Sequence, residues 1–303
     1  MGPRLSLAAL APPLFVALWA TGFVGAKYAL PYAEPMTTLA LRFGLAAAAL
    51  WLWAAAAGEL RGRRFGGART VGSAAVVGVL IHAVYLGGVF AAIWLGAGAA
   101  LSALVVGLQP VATALLAGAM LGERLGPRRW AGMALGLAGV ALVVWRKMDA
   151  GALEPFPLLL LVAALVAISY GTILQKRRAV TSRLAADGAL QFAAAALVCA
   201  AAAGALETRR IDWTAEYVFA LSWMVVVLSL GAISLFYAML RRGEASKTAS
   251  LFFLVPGVTA AMAWAMFGEA FGWAELAGLV LAAVGVRLAA QVEGSSTSGS
   301  ASR

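Results

Sequence analysis

Charge is scarce in this sequence: of 303 residues only 12% are Asp, Glu, Lys or Arg, while 63% are hydrophobic. Soluble domains carry about 25% charged residues, and a chain of this length cannot hide so much apolar surface in one core. Lipid must therefore be the solvent for most of it. There is a single cysteine, Cys199, which excludes an intrachain disulfide and a multi-cysteine metal site; it reads as a small core or lipid-facing residue. The single histidine, His82, excludes a zinc centre of His/Cys type. No nucleophile and base cluster, paired carboxylates or metal spacing stands out, so the chain reads as no enzyme and offers no metal site. Carboxylates are missing where a cation carrier needs them. None of the 13 Asp and Glu residues falls in the interior of a predicted span, and a buried carboxylate is what offsets desolvation of a cationic drug or metal ion.

What is present is a series of apolar runs. A membrane helix takes about 20 residues at ~1.5 Å each, and ten runs meet that length approximately: Leu10 to Leu30, Met36 to Ala57, Val71 to Trp94, Gly98 to Leu121, Arg129 to Trp145, Phe156 to Gln175, Gly188 to Ala205, Tyr217 to Leu240, Ser246 to Phe267 and Gly272 to Ala290. The first holds Trp19, Phe23 and Lys27 and lacks a clean small-residue cleavage site, so it reads as a span and not as a removed signal peptide.

The net charge of +10 raises nucleic acid as a partner, but the basic residues sit in short clusters between apolar runs and not along one face. They read as topology signals. Arg61, Arg63, Arg64 and Arg69, then Arg124, Arg128 and Arg129, then Lys176, Arg177, Arg178 and Arg183, then Arg241, Arg242 and Lys247 occupy alternate loops. By the positive-inside rule those loops and both termini are cytoplasmic, which requires an even number of spans. The Ser/Gly-rich tail, 294–303, is expected to be disordered.

The two halves repeat. At an offset of 146 residues Pro110 falls on Pro256, Gly122-Glu123 on Gly268-Glu269, Thr113-Ala114 on Thr259-Ala260, Ala131-Gly132 on Ala277-Gly278 and Gly139-Val140 on Gly285-Val286. At 149, Gly22 and Lys27 match Gly171 and Lys176. Five spans per half give the copies opposite orientation, so the expected fold is all-α and integral to the membrane: ten transmembrane helices in two inverted five-helix repeats, residues 1–150 and 151–293. Such repeats meet near the midplane, where secondary transporters bind substrate.

The first helix ending LWATGFVGAKYAL, the second opening at Pro35 and containing LRFGLA, the run LQPVATALLAGAMLGERL and the following GLAGVALV, with their second-half counterparts, resemble the ten-helix, EamA-type branch of the drug/metabolite transporter superfamily. The resemblance runs from about residue 10 to residue 290. It implies an export or exchange carrier for a small polar or amphipathic metabolite, without a cofactor. It also implies a cavity lined mainly by the first, third, fourth, sixth, eighth and ninth spans. The small four-helix relatives in that superfamily use a glutamate in their first helix; here that helix offers none.

Within this frame the candidate substrate-binding residues are Trp19, Arg42, His82, Tyr85, Gln109, Tyr170 and Tyr237, with Ser169 and Phe236 nearby in sequence. Arg42 suits a carboxylate ligand, since its guanidinium is a planar fork of donors; snorkelling to the outer interface is the alternative for it and for Lys27. His82 orients substrate, titrates between about pH 5 and 8 to couple protons, or simply packs. Pro110 and Pro256 are candidate paired kinks, each removing a backbone donor. Glu123 and Glu269, at span ends, are read as structural ties between helix ends. Gly132, Gly136, Gly139, Gly278 and Gly285 let backbones approach closely.

The function expected is secondary-active export or exchange of small zwitterionic or anionic metabolites, such as amino acids or organic acids, by alternating access in the inner (cytoplasmic) membrane. A multidrug or cationic-compound exporter is the alternative, and a lipid-handling or scaffold membrane protein the alternative of another class. The partners expected are a small-molecule substrate and membrane lipid, with no nucleic acid. Oligomeric state is left open, a monomer being the simplest reading.

Overall fold

The computed structural model describes residues 7–60, 67–121, 126–149, 151, 153–178, 183–232, 235, 254–269 and 272–290. Glu123, Phe236, Tyr237 and the tail 294–303 lie outside the described residues. The described chain is helical, with no strand beyond one isolated bridge between Ala33 and Ile211.

The helices are α1 (Leu7–Ala29), α2 (Pro35–Ala56), α3 (Ala68–Trp94), α4 (Ala99–Val106 and Gln109–Leu121), α5 (Pro127–Asp149), α6 (Pro155–Arg177), α7 (Leu184–Leu206), α8 (Ala215–Ala232), α9 (Val255–Phe267) and α10 (Trp273–Ala290). Among the described residues seven helices are long and apolar enough to cross a membrane, and Val255–Phe267 and Trp273–Gly285 are shorter apolar helices. Two helices change their winding. In α3, Val79–Val84 is π-helical, and in α8, Trp223–Ala232 is.

Sequence chemistry sets the ends. Pro35 opens α2, where its missing N–H costs nothing because that donor has no intrahelical acceptor. Thr214 caps α8 by accepting from Tyr217 N–H at 3.3 Å. Gly268 closes α9 with φ +64°, a left-handed conformation that a Cβ disfavours. α7 begins at Leu184, four residues before the apolar run does, which carries Asp187 into its first turn; an acid there is favoured by the helix dipole.

The chain forms two compact units, and neither is a half of the sequence. One comprises residues 25–96 and 156–233, the other 1–24, 97–155 and 234–303. In the first unit α2 packs along α7, α3 along α7, and α8 against α2. Gly78 allows the closest approach: a Cβ there would lie 2.3 Å from the carbonyl oxygen of Gln191. In the second unit α5 packs along α10 and α4 against α9. A Cβ on Gly278 would lie 2.6 Å from the oxygen of Gly139, and one on Gly285 would lie 2.3 Å from the nitrogen of Gly136. Lipid tails are as apolar as the side chains, so helices associate by close packing and hydrogen bonds and not by hydrophobic burial. The glycine faces supply that packing.

Candidate functional site

In the first unit, Arg42 projects from α2 and is 6% exposed. Its Nε donates to Oγ of Ser229 in the π-helical part of α8, at 3.1 Å. Both Nη atoms donate to no described residue. No carboxylate pairs with Arg42 among the described residues. His82 and Tyr85 both lie within Coulombic reach of it.

His82 sits in the π-helical turn of α3 with its ring centre 4.4 Å from Phe192 and 5.7 Å from Phe43. Phe43 and Phe192 are themselves stacked at 5.7 Å. The cluster is thus a cation, a hydroxyl, an imidazole and a phenol against an aromatic wall. It favours a ligand with negative charge and an apolar part. π-Helical turns are rare and recur at functional sites, and here the two that are described carry His82 and Ser229. Tyr170, also in this unit, is 37% exposed.

In the second unit Trp19, Phe23, Gly107, Gln109, Pro110 and Val255 line a narrow recess, with room for about one water. α4 is interrupted at Gly107 and Leu108, and Pro110 follows in the first turn of the second segment. Pro256 occupies the first turn of α9. A Cβ on Gly107 would meet Cγ of Pro256 at 2.8 Å, so the interruption in α4 rests on the start of α9. Pro110 thus directly follows the interruption within α4, and Pro256 lies in the first turn of the described part of α9.

Carboxylates act at helix ends. Glu207, after α7, accepts from Met36 N–H at 2.6 Å, Thr37 N–H at 2.8 Å and the Thr37 hydroxyl at 2.7 Å. Glu59, after α2, accepts from Ala186 N–H at 3.0 Å. Each of α2 and α7 thus has its N-terminus capped by a glutamate that follows the other. In the second unit Glu269 accepts from Ala99 N–H at 3.2 Å, tying the end of α9 to the start of α4. This tie reaches a helix distant in sequence.

The structure brings Arg42, His82 and Tyr85 into one cluster, and Trp19, Gln109 and Pro110 into one recess. Ser229, Phe43 and Phe192 are the residues sequence reasoning missed. A signal for the phenylalanines was available: Ala40-Leu41-Arg42-Phe43 repeats as Ala189-Leu190-Gln191-Phe192 at the offset of 149. No comparable signal marked Ser229.

Comparison with known proteins gives a consistent picture. The profile of the EamA-like transporter family matches residues 7–145 and again 155–291. An uncharacterized transporter of Bacillus subtilis (strain 168), YvbV, is 29% identical over 185 residues, 60% of this chain and 60% of that protein; the match thus spans less than two thirds of that relative. A crystal structure of a protein 21% identical in sequence superposes with a TM-score of 0.63, covering 95% of this chain and 98% of the other. At that identity the likeness concerns the fold.

Proposed function

This chain belongs to the EamA-like transporter family, within the drug/metabolite transporter superfamily, and from that premise we propose that it exports or exchanges small zwitterionic or anionic metabolites by alternating access. Amino acids and small organic acids are the substrates that fit. It is a multi-pass membrane protein by family and by its apolar helices; the proposal adds ten spans in two inverted repeats, residues 1–150 and 151–293, in the inner membrane with both termini cytoplasmic.

The observation that carries the substrate class is Arg42. A buried charge costs several kcal/mol of lost hydration unless paired, and Arg42 has a serine, an aromatic wall and no carboxylate among the described residues. A substrate carboxylate would supply the missing partner. The inverted arrangement draws support from the reciprocal caps Glu59 on α7 and Glu207 on α2, the relation a two-fold axis between repeats would produce.

The test is a thermal-shift series on detergent-purified protein with amino acids, organic acids and cationic drugs, because a ligand that binds only the native state raises its stability. Saturable stabilisation by acids or zwitterions, lost in Arg42→Ala, is the expected result. Stabilisation by the cations alone overturns the reading in favour of a cationic-compound exporter, and no saturable ligand at all favours a lipid-handling or scaffold role.

A further inference from the structure

An arginine offers a carboxylate two edges: the side-on edge of Nε and one Nη, and the end-on edge of both Nη atoms. In this protein the side-on edge is taken. The Nε of Arg42 donates to Ser229 Oγ at 3.1 Å, and Ser229 is itself 1% exposed. The Nη edge donates to no described residue. Ser229 is placed there by the π-helical winding of α8 over Trp223–Ala232, flanked by the apolar residues Leu228 and Leu230.

The hydroxyl has two consequences. It fixes the plane of the guanidinium, which otherwise turns about a flexible stem, so that less freedom is lost when a ligand binds. It also does this without charge: an aspartate at the same position would neutralise Arg42 and remove its attraction for an anion.

We propose that Ser229 is a positioning residue for substrate recognition, holding Arg42 by Nε so that the end-on Nη edge receives the substrate carboxylate. This rests on the carboxylate-carrier reading above. It assigns Ser229 no contact with substrate.

The experiment compares wild type, Arg42→Ala, Ser229→Ala and Ser229→Thr, in detergent for binding and in liposomes for flux. The probes are L-leucine, L-phenylalanine and succinate, each beside its methyl ester, which keeps the shape and removes the charge. A side chain left mobile in the free protein and immobilised by the ligand weakens binding by about two- to tenfold. Ser229→Ala is therefore expected to raise KM for the acid by about two- to tenfold with maximal flux within about twofold, and to shrink the preference for acid over ester by the same factor. Ser229→Thr, which keeps the hydroxyl, is expected to restore both.

A merely structural serine would instead lower Tm and flux while leaving the preference for acid over ester unchanged, and that outcome overturns the proposal. If Ser229→Thr does not fold, the change in acid preference in Ser229→Ala decides. The two levels separate cleanly. Arg42→Ala without effect on acid binding, or no saturable acid binding by wild type, refutes the carboxylate reading and the inference with it. Loss in Arg42→Ala with unchanged KM in Ser229→Ala refutes the positioning role alone.

Discussion

Replacing Gly285 by alanine tests how α5 and α10 are held together. A Cβ at Gly285 would stand 2.3 Å from the nitrogen of Gly136, 2.6 Å from the oxygen of Gly132 and 2.8 Å from the Cα of Gly136. All three are backbone atoms, so no rotamer change relieves the clash. Ordinary contact begins at 3.4 Å, which asks the two helices to part by about 1 Å at this point. Parting also loosens the Gly139 and Gly278 approach further along. Overpacking of this kind costs ~1–3 kcal/mol, against a helix-propensity gain of ~0.5–1 kcal/mol for Gly→Ala. The net expectation is a loss of roughly 1–2 kcal/mol. Gly204→Ala is the matched control, since in α7 its Cβ would meet nothing within 4 Å; there only the gain applies, ~0.4–1 kcal/mol. Tryptophan fluorescence during thermal unfolding in one detergent reads both. Gly285→Ala should fall below wild type by a few degrees and Gly204→Ala should equal or exceed it. Equal Tm for Gly285→Ala and wild type would show that the helices do not meet on their glycines.

Three further outcomes are expected. Glu207→Ala removes the acceptor for two backbone donors and one hydroxyl at the start of α2, and should cost ~1–2 kcal/mol; Glu59→Ala, which frees one donor, should cost less, both read as Tm. The pair Ala33→Cys with Ile211→Cys should close a disulfide under mild oxidation, because the two residues face each other across an antiparallel bridge flanked by Asp212 N–H to Tyr32 O at 2.8 Å, where Cα atoms stand ~4.5 Å apart. The buried Cys199 should not compete; thiol counting by maleimide mass tagging checks it, and two tags on the oxidised, unfolded protein beyond that on Cys199 would place the loops apart. Pro256→Ala removes the ring that meets Gly107 and should slow flux more than it lowers folded yield; parallel loss of flux and yield would reduce the proline to a structural part.

Much of this protein was legible before any coordinates. The apolar runs required helices, because in lipid every backbone N–H and C=O must be satisfied within its own segment. The glycines of α5 and α10 announced close packing between spans, though not which span each meets, and the family followed from local motifs such as LQPVATALLAGAMLGERL. Ends were less legible: α7 starts at Leu184, not Gly188, because a cap from Glu59 extends the helix beyond its apolar run. Helix-end glutamates announced ties, but their acceptor role toward helices well over a hundred residues away was invisible.

What the sequence by itself determined is the solvent, the helices, their small-residue faces and the internal repetition, since each depends on residues near one another in the chain. What only tertiary structure decided is partnership. Arg42 met Ser229 across 187 positions, His82 met Phe192, and the compact units cut across both halves of the sequence. The physical reason is that composition and periodicity record which face of a helix avoids lipid, whereas the identity of the side chain across the gap depends on crossing angles and on π-helical turns whose hydrogen bonds leave no mark in local sequence.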